Sequence, residues 1–155
     1  LLQRNLIPFI RQVKELGYPV KLDTNGSFPD KLRELITNGL VDYVAMDIKN
    51  AKEKYPLTCG REKLDVAPFE ESVALLKAGG ADYEFRTTVV REFHTPDDME
   101  RIGQWIQGAP RYYLQAFKDS GILSENSSHA LSGEEMVNMR NIVAKYVKIV
   151  DLRGI

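Results

Sequence analysis

Cysteine is nearly missing from this sequence: Cys59 is the single one in 155 residues. One thiol makes no internal disulfide framework, and it makes no multi-cysteine metal site from this chain alone. Histidine is almost as scarce, with only His94 and His129. Long apolar runs are absent, and none approaches the ~18 residues that suggest a membrane span. Neither sign of charge prevails: 21 Lys and Arg face 22 Asp and Glu, a formal net charge of −1. That balance exerts no strong pull toward nucleic acid or an anionic membrane. There is no GxGxxG, no Gly-Lys-Ser/Thr phosphate loop and no Cys-x-x-Cys. No Pro/Gly/Ser-rich linker or low-complexity stretch divides the chain. The opening Leu1-Leu2-Gln3-Arg4-Asn5 resembles neither a signal nor a transit peptide. It also lacks Met, so the chain is expected to begin inside a longer protein. What is present is ordinary globular composition, 43% hydrophobic and 28% charged, at the length of one domain. A single soluble, cytoplasmic domain over residues 1–155 is expected.

The patterning alternates. Leu6, Phe9, Ile10, Val13 and Leu16 repeat with helical spacing, and Gly17 stops them. Tyr18–Asp23 reads as a strand. Pro29 opens a helix carrying Leu32, Leu35 and Ile36 toward Gly39. Val41–Ile48 is a second strand, and residues 49–65 are less regular. A helix over Pro68–Lys77 follows, then a strand of β-branched and aromatic residues ending at Val90. Thr95-Pro96-Asp97-Asp98 has the N-cap, proline and acid of a helix start. Arg111–Phe117 is a fourth strand, Ser132-Gly133-Glu134-Glu135 caps a last helix, and Val147–Leu152 is a fifth strand. Strands alternating with helices of this length predict parallel βα units.

In such folds ligands bind at the carboxyl ends of strands. Those ends are Asp23-Thr24-Asn25-Gly26, then Asp47-Ile48-Lys49, then Arg86-Thr87-Thr88, then Gln115 leading to Lys118 and Asp119. Two acids and three cations suit a zwitterionic ligand or a metal with its counter-charges. Each feature also has a plainer account. Asp-Thr-Asn-Gly is a turn by composition, Asp47 and Lys49 can pair at the surface for ~0–1 kcal/mol, and Arg86 can be solvated. Cys59 has no histidine near it in sequence. His94 and His129 are expected to be solvated, while Trp105, Tyr112 and Tyr113 have core positions available to them and make a poor case for base stacking.

Taken in order, Lys21-Leu22-Asp23-Thr24-Asn25-Gly26, Met46-Asp47-Ile48-Lys49, Arg86-Thr87-Thr88-Val89-Val90 and Leu114-Gln115-Ala116-Phe117 resemble the radical S-adenosylmethionine activases of glycyl-radical enzymes. The activating protein of anaerobic ribonucleoside-triphosphate reductase is the more similar branch, favoured by the Glu134-Glu135-Met136 helix and the Asp151-Leu152-Arg153-Gly154 end. The pyruvate formate-lyase activating enzyme is next. The likeness covers essentially the whole chain.

The resemblance implies a partial (β/α)6 TIM-like barrel, here without its first two strands. It implies S-adenosylmethionine and a [4Fe–4S] cluster as cofactors. One-electron reduction would yield a 5′-deoxyadenosyl radical, which takes a hydrogen atom from a glycine of the partner polypeptide. A reduced flavodoxin or ferredoxin would supply the electron. By residue, it implies a monovalent cation held by Asp23, Thr24 and Asp47. It implies S-adenosylmethionine contacts from Thr24, Asn25, Gly26, Lys49 and Lys118, and a catalytic Arg86 in the cleft. Lys118 stands where the pyruvate formate-lyase branch has a ligand-facing histidine. The family's Cys-x3-Cys-x2-Cys loop and Gly-Gly-Glu-Pro motif are not in this sequence, so the chain by itself is expected to bind no cluster and to be inactive. Two alternatives stay open: a non-catalytic interaction domain on the same scaffold, and an aldolase-like barrel with Lys49 as a Schiff-base lysine.

Overall fold

The computed structural model describes residue 1, residues 3–118 and residues 128–155. Leu2 and Asp119, both named above, lie outside the described residues. The strands are β1 (Lys21–Thr24), β2 (Tyr43–Asp47), β3 (Asp82–Val89), β4 (Arg111–Ala116) and β5 (Ile149–Arg153). The helices are α1 (Leu6–Glu15), α2 (Pro29–Thr37), α3 (Tyr55–Thr58), α4 (Ala67–Ala78), α5 (Pro96–Trp105) and α6 (Gly133–Val143). Strand order follows chain order, β1-β2-β3-β4-β5. The registered pairs, β1 with β2, β3 with β4 and β4 with β5, are all parallel. This is the α/β architecture of parallel βα units that the patterning predicts.

The chain forms two compact units, Leu1–Asp47 with Asp65–Glu84, and Ile48–Leu64 with Phe85–Ile155. In the first, Leu22 pairs with Val44 and Thr24 with Met46. Val44 and Met46 are fully buried, as are Leu32 and Leu35 of α2, while Val73 and Leu76 of α4 are nearly so. Burying each such side chain is worth ~1.5–3 kcal/mol. Lys21, Asp23, Tyr43 and Asp47 alternate with them on the opposite face. Helix α1 departs from its sequence pattern: of its apolar residues only Ile10 is buried, and Phe9 is 62% exposed. Helical spacing marks which side chains share a face, not whether anything covers that face.

In the second unit Phe85, Thr87, Val89, Tyr112 and Leu114 face the core. Arg86, Thr88, Arg111, Tyr113, Gln115, Asp151 and Arg153 alternate with them on a polar face. The Arg153 guanidinium lies 3.4 Å from the Tyr113 ring centroid, a cation–π stack. Helix α5 opens with the capping box expected of Thr95 and Asp98, and α6 with that of Ser132 and Glu135. Residues 49–65, irregular by sequence, contain a 3-10 turn at Lys52–Lys54 and the short helix α3.

Candidate functional site

In the first unit, β1 runs out into the turn Thr24-Asn25-Gly26-Ser27. The Gly26 N–H donates to Thr24 Oγ1 at 3.1 Å, and the Ser27 N–H donates to Asn25 Oδ1 at 3.1 Å. Gly26 has φ +79°, a left-handed conformation that side chains disfavour. Its carbonyl accepts from the buried Ser72 hydroxyl at 2.7 Å. A β-carbon on Gly26 would overlap the methyl end of Met46. The turn is therefore held close against β2 and α4.

Asp23 pairs in register with Ala45. Asp47 lies two residues further along β2 on the same face, so the two carboxylates leave neighbouring strand positions roughly 8 Å apart at Cα by strand spacing. Asp23 is 60% exposed at its side chain and sits 3.8 Å from Lys21 Nζ. At the other end of the same strands Glu84, nearly fully buried, accepts from Tyr43 Oη at 2.8 Å. The structure thus gathers Asp23, Thr24, Asn25, Gly26 and Asp47 at the ends of β1 and β2.

In the second unit Lys49 is the second residue after the end of β2, half-buried. Its neighbour Ile48 donates its N–H to the Arg86 carbonyl at 2.7 Å, which brings Lys49 and Arg86 close in the main chain. Arg86 is half-buried on the polar face of β3. Lys118, past the end of β4, is exposed. A β-carbon placed on Gly154 would lie 3.5 Å from its Cε, so Lys118 stands at the end of β5. Within this unit the structure brings Lys49 and Arg86 together and places Lys118 by Gly154.

Several residues important to this geometry carry no site signal in the sequence. His94 is one, and its expected solvation is wrong: it is 4% exposed. The residue before a capped helix reads as a surface position, but here the preceding loop folds the ring inward. Nε2 donates to the Lys49 carbonyl at 2.9 Å, and Nδ1 accepts from the Val90 N–H at 3.0 Å. Burial lowers the His94 pKa, making the imidazolium the stronger acid, while the Lys49 and Val90 carbonyls oppose this by favouring the charged ring. Asn50, fully buried, donates to Thr58 Oγ1 at 2.9 Å and to the Phe93 carbonyl at 2.8 Å. Asp98 accepts from Lys54 Nζ at 2.7 Å. Burial alone would raise the Asp98 carboxyl, but the bonds from Lys54 and Thr95 hold it below the usual range. Burial raises the Cys59 thiol, with the charges of Lys49 and Arg61 opposing. His129 is exposed and paired with Glu92, as a solvated residue should be.

The donor chemistry can be tested against the groups the resemblance implies. Two carboxylates and a hydroxyl suit a monovalent cation, and an ammonium with a guanidinium suits a carboxylate-bearing ligand. A [4Fe–4S] cluster held by three thiolates does not fit a chain whose one cysteine is Cys59. Among the described residues no group of three or more His, Cys, Asp or Glu is placed to hold a metal ion. Among the same residues no helix is long and apolar enough to cross a membrane.

No protein-family model matches the chain. A protein of Methanocaldococcus jannaschii, whose name gives it as a candidate glycyl-radical enzyme activating enzyme, is 31% identical, over 97% of this chain and 65% of that protein. The chain therefore spans just under two thirds of that relative's length. In fold, it is similar to a crystallised domain of pyruvate-formate lyase-activating enzyme from Bacteroides vulgatus. The TM-score is 0.71, covering 96% of this chain and 89% of that one, at 12% identity. At that identity the second likeness is one of architecture alone.

Proposed function

We propose that this chain is part of a radical S-adenosylmethionine activating enzyme that installs a glycyl radical on a partner enzyme. The observation that carries this reading is the 31% identity to the archaeal protein across almost the whole chain. The polar residues at the strand ends support it. In this reading Asp23, Thr24 and Asp47 hold a monovalent cation through carboxylate and hydroxyl oxygens. Lys49 and Lys118 meet S-adenosylmethionine, the Lys49 ammonium neutralising its carboxylate. Arg86 acts in the cleft, and Asn25 and Gly26 shape the turn. When bound, S-adenosylmethionine with a reduced cluster supplies the 5′-deoxyadenosyl radical. The cluster ligands must come from outside these 155 residues. The partner is of the anaerobic ribonucleotide reductase or pyruvate formate-lyase type, and the electron comes from a reduced flavodoxin or ferredoxin.

The single cysteine favours a second reading, a non-catalytic interaction domain built on the same scaffold. One experiment separates the two. In anaerobically grown cells of the source organism, chromosomal Lys49→Met should reduce the glycyl-radical EPR doublet at least tenfold, at unchanged protein level. An undiminished doublet in cells from which the gene is deleted would sink the activase reading and leave the second.

A further inference from the structure

Every main-chain polar group of Ile48 and Lys49 has a partner within the second unit. The Ile48 N–H donates to the Arg86 carbonyl at 2.7 Å. The Ile48 carbonyl accepts from Thr87 Oγ1 at 2.6 Å. The Lys49 N–H donates to Tyr55 Oη at 3.1 Å. The Lys49 carbonyl accepts from His94 Nε2 at 2.9 Å. Three of these partners lie on β3 or just beyond it, 38 to 45 residues away in sequence, and they fix a segment outside regular structure.

His94 is the least expected of the four. Nδ1 lies 3.0 Å from the Val90 N–H and 3.1 Å from the Val90 carbonyl, and Nε2 lies 2.9 Å from the Lys49 carbonyl; in the neutral ring a hydrogen on Nε2 is the choice that serves both the Lys49 carbonyl and the Val90 N–H. Nδ1 is then left to accept the Val90 N–H. The neutral ring thus ties the loop after β3 to Lys49, the second residue after β2. A lysine side chain has four rotatable bonds and samples a wide volume. Where its ammonium can reach depends first on where its α-carbon is held.

We propose that His94 is a positioning residue for Lys49. It touches no ligand, and it fixes the main chain from which the ammonium reaches S-adenosylmethionine. This rests on the reading of Lys49 as a ligand-facing residue.

The test is a double-mutant cycle on the 155-residue chain, with S-adenosylmethionine as probe in equilibrium dialysis and thermal melts to check folding. Lys49→Met should weaken binding about tenfold. His94→Asn keeps an acceptor near Val90 but does not reach Lys49, and should weaken binding about as much. In the Lys49→Met background His94→Asn should add almost nothing. His94→Gln places an amide N–H near the position of Nε2 and should recover most of the affinity. A merely structural histidine would lower binding by the same factor in both backgrounds, and that result overturns the proposal. So does wild-type affinity in a folded His94→Asn chain. His94→Ala serves as a second truncation, and failure of both truncations to fold would make His94 a folding residue instead. If the unsubstituted chain binds no S-adenosylmethionine, or Lys49→Met has no effect, the ligand reading of Lys49 falls, which is a separate failure.

Discussion

The ends of β1 and β2 carry comparable residues but are built in opposite ways. The turn after β1 is stitched mainly by its own side chains, Thr24 to Gly26 and Asn25 to Ser27, two residues apart. One distant bond, from Ser72, joins it to α4. The segment after β2 has almost no local support. Its main chain is held by Arg86, Thr87 and His94, with Tyr55 the nearest partner. The first end is a short-range structure that a sequence can encode in four letters. The second exists only once β3 and its following loop have folded.

The largest effect should come from breaking the first end where it is tightest. Gly26→Ala puts a side chain on a left-handed residue, at ~1–2 kcal/mol. It also drives a β-carbon into the fully buried Met46 side chain, at ~1–3 kcal/mol more. A loss of about 3 kcal/mol in urea unfolding is expected. A loss below about 1 kcal/mol would mean that Met46 swings clear and the turn is not packed as described.

The second end should break through a residue far from it in sequence. The buried Tyr112 hydroxyl donates to Thr87 Oγ1 at 2.6 Å, and Thr87 in turn donates to the Ile48 carbonyl. Thr87→Val keeps the shape and strands both ends of this relay, which should cost about 2 kcal/mol. Thr87→Ser keeps the hydroxyl and should cost clearly less. Equal losses in the two variants would show that packing, not the relay, supports Ile48.

The same contrast explains what the sequence revealed. Periodicity and capping residues located the helices and strands to within a few positions, because those signals are local: Thr95 with Asp98, Ser132 with Glu135, Pro29 at the start of α2. The strand-end rule then named Asp23, Asp47, Lys49 and Arg86 as candidates. It named Thr87 without its role and passed over His94, Asn50 and Tyr55, whose contacts only the folded chain shows. A histidine before a helix cap looks like a surface residue until the fold shows which carbonyl it meets. Helix α1 erred the other way, with an apolar stripe that left Phe9 exposed.

A subtler test sharpens the comparison through pH, because the second end is clamped by a buried histidine. Burial lowers the His94 pKa from its ordinary 6.5. Bonds to the Lys49 and Val90 carbonyls and the charge of Asp98 oppose this, and Lys54 adds to it. The unfolded chain then binds this proton more readily than the folded chain. Stability linked to His94 is complete above about pH 6.5 and is lost as the pH falls from there through the folded value. His94→Gln cannot titrate, so its melting temperature should fall less than that of the unsubstituted chain between pH 7 and pH 5. Groups remote from His94 are common to both proteins and cancel in the difference. Parallel curves would show that His94 takes up its proton as readily folded as unfolded, and that the clamp on Lys49 does not need the neutral ring.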